Sequence, residues 1–190
     1  MRYAFFIALL VLAGCGTAPS RIDNICAIFA QKDGLFNNWA REANTASQRY
    51  GVPVPVLMAT IYTESGFRAH ARPPRTMLLG FIPWTRPSSA YGYAQALDGT
   101  WETYKNETGR WGASRSDFGD AIDFVGWYHR KSHDRNGIAL TDGYRLYLAY
   151  YSGHNGYARG DFSSGTRAAA ERSASIASRY ENQLRACGYR

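Results

Sequence analysis

Cysteine is scarce in this chain, with three residues in 190. No two of them form a CxxC pair and none clusters with histidine, so the usual thiolate metal sites are missing and no metal or cofactor is expected. His129 and His133 have the i, i+4 spacing of a metal pair. However, "HRKSH" lacks the glutamate of HExxH, and both are read as surface residues. A Gly-rich phosphate loop and a GxSxG elbow are also absent, which removes the usual signatures of nucleotide and serine-hydrolase chemistry. Sustained period-two alternation is missing, so any sheet must be small. The apolar run in "MRYAFFIALLVLAG" is only roughly ten residues long, too short to span a bilayer. Behind a basic start, it reads as a secretion signal over residues 1–14.

Acidic side chains are the minority, 15 against 22 Lys and Arg, for a net charge of +7. Aromatics make up 15%, including 14 Tyr and 5 Trp. Cations attract anions and flat rings stack on sugar faces, so an acidic or sugar-like partner is favoured; the charge also fits plain solubility. Nucleic acid would satisfy the same charge, but an exported chain seldom meets it. At 45% hydrophobic, 190 residues suit a single domain with a real core.

The signal ends in Leu12-Ala13-Gly14-Cys15, which resembles the lipobox of bacterial lipoproteins. That resemblance implies lipid on Cys15 and a membrane anchor. With Gly16 rather than Asp next, it implies the periplasmic face of the outer membrane. "GTAPSR" completes a tether over residues 15–21, leaving residues 22–190 as the domain. The tether from Cys15 to Ile22 spans at most roughly 25 Å, so the domain would work close to its membrane. Setting Cys15 aside leaves Cys26 and Cys187, an even pair expected to bond in an oxidising compartment, with two buried free thiols as the alternative.

Beyond the tether nearly every periodic segment has helical spacing. In "SDFGDAIDFVGWYHRKSH", Ser116 can cap a helix with Phe118, Ala121, Ile122, Val125 and Tyr128 on one stripe. In "TDGYRLYLAYYSG", Thr141 caps and Gly153 stops a second helix, with Tyr144, Tyr147, Leu148 and Tyr151 on one side. A third places Ile176, Tyr180, Leu184 and Cys187 together, and shorter candidates run over 36–49 and 100–106. The fold class is mostly α. Residues 69–90 break the pattern with four prolines and an apolar block containing Met77, Leu79 and Trp84. With Arg68, Arg72, Arg75 and Arg86 around it, this loop suits a groove wall or a membrane-facing patch, or else packs on the domain.

Pro53 and Pro55 suit a helix start, and at about 100° per residue Leu57, Ile61 and Glu64 share a face. Burial beside Leu and Ile, together with the dipole at a helix C-terminus, penalises the charged carboxylate and holds a proton on Glu64. Such an acid can protonate a glycosidic oxygen. The alternative is a glutamate turned to solvent at a frayed end. Asp98, Glu102, Asp117, Asp120 and Asp123 read as caps or solvated faces, which leaves Glu64 without an evident carboxylate partner.

Four segments in order, Glu64-Ser65-Gly66-Phe67, Tyr91-Gly92-Tyr93-Ala94-Gln95, Ala149-Tyr150-Tyr151-Ser152-Gly153 and Tyr180, resemble the motifs of the soluble lytic transglycosylase domain over roughly residues 36 to 184. The resemblance implies a single goose-type-lysozyme-like domain acting on peptidoglycan glycan strands. It implies Glu64 as catalytic acid and base, with Ser65, Tyr93, Gln95, Tyr150 and Tyr180 along the substrate groove and the Tyr150 hydroxyl near the catalytic carboxyl. The departures are Tyr151 and Ser152, where the family usually has Asn and Ala, and a longer stretch between Glu64 and Gln95. A lysozyme-like hydrolase and a non-catalytic wall-binding lipoprotein are the competing readings.

Overall fold

The computed structural model describes residues 17–35, 37–80 and 82–189, so the signal over 1–14 and Cys15 lie outside the described residues. Eight helices are found among them. They are α1 (Ile25–Gln31), α2 (Trp39–Tyr50), α3 (Val54–Ser65), α4 (Asp98–Thr108), α5 (Phe118–Asn136), α6 (Gly143–Ser152), α7 (His154–Arg159) and α8 (Ser164–Cys187). Strands β1 (Met77–Leu78) and β2 (Ile82–Pro83) form the one small sheet, an antiparallel hairpin inside the loop over 69–90. The mostly helical fold expected from the sequence is therefore the fold observed.

The centre is α3, where Val54, Val56 and every residue from Leu57 to Ile61 are buried. A helix apolar all round must be enclosed on all sides. Here α8 packs along one flank, α2 and α5 along others, and α6 closes on α8. Cys26 of α1 is bonded to Cys187 at the end of α8, 161 residues apart, as the cysteine count implied.

The structure moves two caps by one residue. Asp117, not Ser116, accepts from Asp120 N at the start of α5, and Asp142, not Thr141, accepts from Arg145 N at the start of α6. A carboxylate beside a hydroxyl is the stronger acceptor and gains from the helix dipole. Two surface assignments are also corrected. His129 is fully buried, its Nε2 2.9 Å from the Thr60 hydroxyl, and burial pushes its pKa down to about 3. The polar look of "HRKSH" hid that His129 continues the buried stripe of Ile122 and Val125. Asp123 is 4% exposed and ties α2, α4 and α5 together. It accepts from Arg49, from Tyr50 at 2.9 Å and from Tyr104 at 2.8 Å, with Arg110 also alongside.

Candidate active site

Glu64 sits where it does because of the three residues after it. Gly66 takes φ 58°, donates its N–H to the Tyr62 carbonyl and ends α3. Phe67 continues the reversal at φ 61° and buries its ring against Trp39 and Tyr62. The "ESGF" stretch is thus a helix stop with an anchor, and it holds the last turn of α3 in place. Ser65 is buried, and its hydroxyl donates back to the Ile61 carbonyl at 3.2 Å.

The Glu64 side chain is half-buried and opens on a hollow of 480 Å³ that it shares with Ser20, Ile22, Thr63, Arg68 and Arg172. Desolvation by the surrounding protein raises its pKa from an ordinary 4.5 to about 7. One contact works against that shift: the Tyr147 hydroxyl of α6 donates to Glu64 Oε1 at 2.8 Å. Oε2 has no protein hydrogen bond among the described residues and is free to carry a proton toward the hollow.

The second motif is built around a glycine. A Cβ on Gly92, which has φ 79°, would lie 2.0 Å from the Arg115 carbonyl oxygen, so no other residue fits. Tyr93 next to it is 3% exposed, with its ring edge-on to Trp39 and Phe118, and so belongs to the core. Gln95, at φ 48°, donates through Nε2 to the carbonyls of Ala71 (3.0 Å) and Gly92 (2.8 Å). It opens on a second hollow, of 240 Å³, shared with Leu97, Tyr150, Tyr151 and Ser152.

Tyr150 belongs to this second hollow, but its hydroxyl is committed to the Ala94 carbonyl at 2.5 Å. The tyrosine bonded to Glu64 is Tyr147, one turn earlier on the same face of α6, and sequence reasoning did not select it. The i, i+3 relation of Tyr147 to the motif residue Tyr150 was the signal that could have found it. Tyr180 is fully buried, and its hydroxyl donates to the Ile22 carbonyl. Its ring reaches neither hollow. Tyr151, by contrast, is 62% exposed and free to stack on a sugar.

Among the described residues, Glu64 is the sole carboxyl lining either hollow. Glu42 is also raised to about 7, by burial and by Asp117, but it lies in a separate cleft with Asp117, Asp120 and Asp123. Arginines already occupy that cleft: Arg110 pairs with Asp120 at 2.7 Å and Arg49 with Asp123. A 570 Å³ hollow on α8, lined by Ser175, Arg179 and Gln183, contains no carboxyl at all. Among the described residues no group of three or more His, Cys, Asp and Glu could hold a metal ion. The site can therefore protonate an oxygen leaving group from a single acid, with the Tyr147 hydroxyl on its other oxygen.

Comparison with curated proteins gives no match. The family described as the transglycosylase SLT domain matches residues 3–187, nearly the whole chain. The fold, the raised pKa of Glu64 and this match agree, and the chain belongs to the transglycosylase SLT domain family.

Proposed function

We propose that the protein is a peptidoglycan lytic transglycosylase that cleaves the β-1,4 bond between N-acetylmuramic acid and N-acetylglucosamine. The observation that carries this reading is a lone carboxyl with a pKa near 7, held by Tyr147 at the mouth of a hollow. Glu64 Oε2 gives its proton to the glycosidic oxygen as the C1–O bond breaks, and the acetamido group of the muramoyl sugar stabilises the cation at C1. Glu64, now a carboxylate, takes the proton from the muramoyl 6-hydroxyl while that oxygen bonds to C1. Glu64 is reprotonated by the 6-hydroxyl, the first proton leaves on the N-acetylglucosamine 4-hydroxyl, and a 1,6-anhydro ring closes. With no second carboxyl in the hollows, water has no base to activate it. The 6-hydroxyl is already on the same sugar, at high effective concentration.

Two further elements belong to this reading. Lipid on Cys15 would hold the enzyme on the periplasmic face of the outer membrane, and residues 1–14 would be removed on export. Mass spectrometry of the muropeptides tests the reaction. New ends lighter by about 18 Da than their hydrolytic counterparts, one water, support it. Predominantly reducing N-acetylmuramic acid ends would make the protein a lysozyme-like hydrolase instead.

A further inference from the structure

The loop over 69–90 ends in a hairpin that the Glu64 chemistry does not use. Its neck is closed by Thr76 and Thr85: Thr76 N and Oγ1 both donate to the Thr85 carbonyl at 2.9 Å, and Trp84 N donates to the Thr76 carbonyl at 2.7 Å. Above the neck, β1 and β2 pair with each other in an antiparallel register. Three apolar side chains of this hairpin are in water: Leu79 is 76% exposed, Trp84 55% and Met77 53%. Leu79 has φ 56°, a backbone strain that a leucine at a turn does not recover through any buried contact.

Charge around the hairpin has one sign. From Ser65 to Leu97 there is no Asp or Glu, while Arg68, Arg72, Arg75 and Arg86 all fall within that stretch. The last three are exposed, and none forms an ion pair among the described residues. Instead they brace the neck: Arg86 donates to the Pro73 carbonyl, Arg75 to the Trp84 carbonyl at 3.4 Å, and Arg72 lies 4.3 Å over the Tyr91 ring.

We propose that this hairpin is a membrane-contact element, inserting Leu79 and Met77 among acyl chains at the surface of an anionic bilayer. Trp84 then lies at headgroup level, where its amphipathic ring is favoured, and the arginine collar meets lipid phosphates. A glycan strand is the weaker occupant, because sugars need hydrogen-bonding partners and the aliphatic tip offers none. The start of the loop is joined to the site, since the Ala71 carbonyl accepts from both Gln95 Nε2 and Gly92 N. Membrane contact therefore fixes the orientation of the substrate hollows relative to the bilayer.

The test uses the full chain in vesicles of phosphatidylglycerol with brominated acyl chains, reading tryptophan quenching as the difference between wild type and Trp84→Phe. Because attachment through the N-terminal segment is common to every variant, that difference reports the hairpin alone. A Trp84 component that is quenched in phosphatidylglycerol but not in phosphatidylcholine supports the proposal. Replacing Arg72, Arg75 and Arg86 together by Gln should raise the anionic lipid needed for half-maximal quenching by about tenfold or more, and Lys at the same positions should restore it. Equal quenching of wild type and Trp84→Phe overturns the proposal. So does a Trp84 emission change seen with soluble glycan fragments but not with lipid, which would make the hairpin part of a glycan-binding wall. The readout is independent of Glu64, so a protein without lytic activity can still pass or fail it.

Discussion

Tyr147 and Glu64, 83 residues apart, meet at 2.8 Å across the interface of α6 with the end of α3. The bond runs from a hydroxyl that burial and the nearby carboxyl push far above its ordinary pKa, so it stays a donor at every working pH. A fixed donor on Oε1 stabilises the carboxylate and leaves Oε2 as the site of proton traffic.

Tyr147→Phe should therefore raise the pKa of Glu64, because it removes the one contact that lowers it. Hydrogen bonds to charged groups contribute about 1.5 to 3 kcal/mol, so kcat should fall by roughly ten- to a hundredfold. The alkaline limb of the pH–rate profile should move upward at the same time. A profile that stays put while kcat falls would show that Tyr147 does not act through Glu64.

Glu64→Gln keeps the shape and removes the proton. Cleavage of purified peptidoglycan should drop by several orders of magnitude in a folded protein, and retention of a tenth of the wild-type rate would contradict the role. Stability should move the other way. Glu64 holds its proton up to about 7 in the fold but only to about 4.5 when unfolded, so its contribution to stability is fully present below 4.5 and is lost as pH rises through 7. The Gln variant lacks that loss. Melting curves at pH 5 and pH 8 should show it gaining on wild type at the higher pH.

The helices were legible in the sequence because their stripes repeat at 3.6 residues, and Phe118, Ala121, Ile122, Val125 and Tyr128 are all buried as that spacing requires. Glu64 was legible through the apolar face it shares with Leu57 and Ile61. What periodicity does not carry is which polar group a buried side chain meets. Asp123 looked like one of several caps because its partners, Arg49, Tyr50 and Tyr104, come from two other helices. Tyr151 went the opposite way: the stripe grouped it with Tyr147 and Leu148, which are buried and pack with Ala170 of α8, yet Tyr151 itself stands in water.

Asp123→Ala leaves the Tyr50 and Tyr104 hydroxyls without their acceptor and Arg110 without part of its countercharge. Breaking a buried pair from one side costs about 3 to 5 kcal/mol. Arg49 is 45% exposed and can return to water, so the expected loss is about 3 kcal/mol, at the lower end. Urea denaturation measures it. The cleft of Glu42 and Asp123 is separate from the Glu64 hollow, so kcat of the folded fraction should change by less than about twofold.

Tyr180 is the motif tyrosine with the least access to substrate, and its hydroxyl instead holds the Ile22 carbonyl in a segment that forms one wall of the Glu64 hollow. Other contacts hold the same segment: Gln183 donates to the Asp23 carbonyl and accepts from Ile25 N, Tyr62 and Arg179 both reach the Asp23 carboxylate, and the Cys26–Cys187 bond lies just beyond. Tyr180→Phe keeps the buried ring and deletes one of these ties, so the stability cost should be about 1 kcal/mol, plus some penalty if the Ile22 carbonyl stays dry. The catalytic carboxyl and its Tyr147 contact are untouched, so kcat should hold. The wall is loosened, so KM for glycan strands should rise by a few fold. Removing the disulfide as well, with Cys26→Ser and Cys187→Ser, should widen the KM effect beyond the product of the separate changes, because all these ties hold one segment. A fall in kcat with unchanged KM would instead place the Tyr180 hydroxyl in the chemistry and refute its role as a wall support.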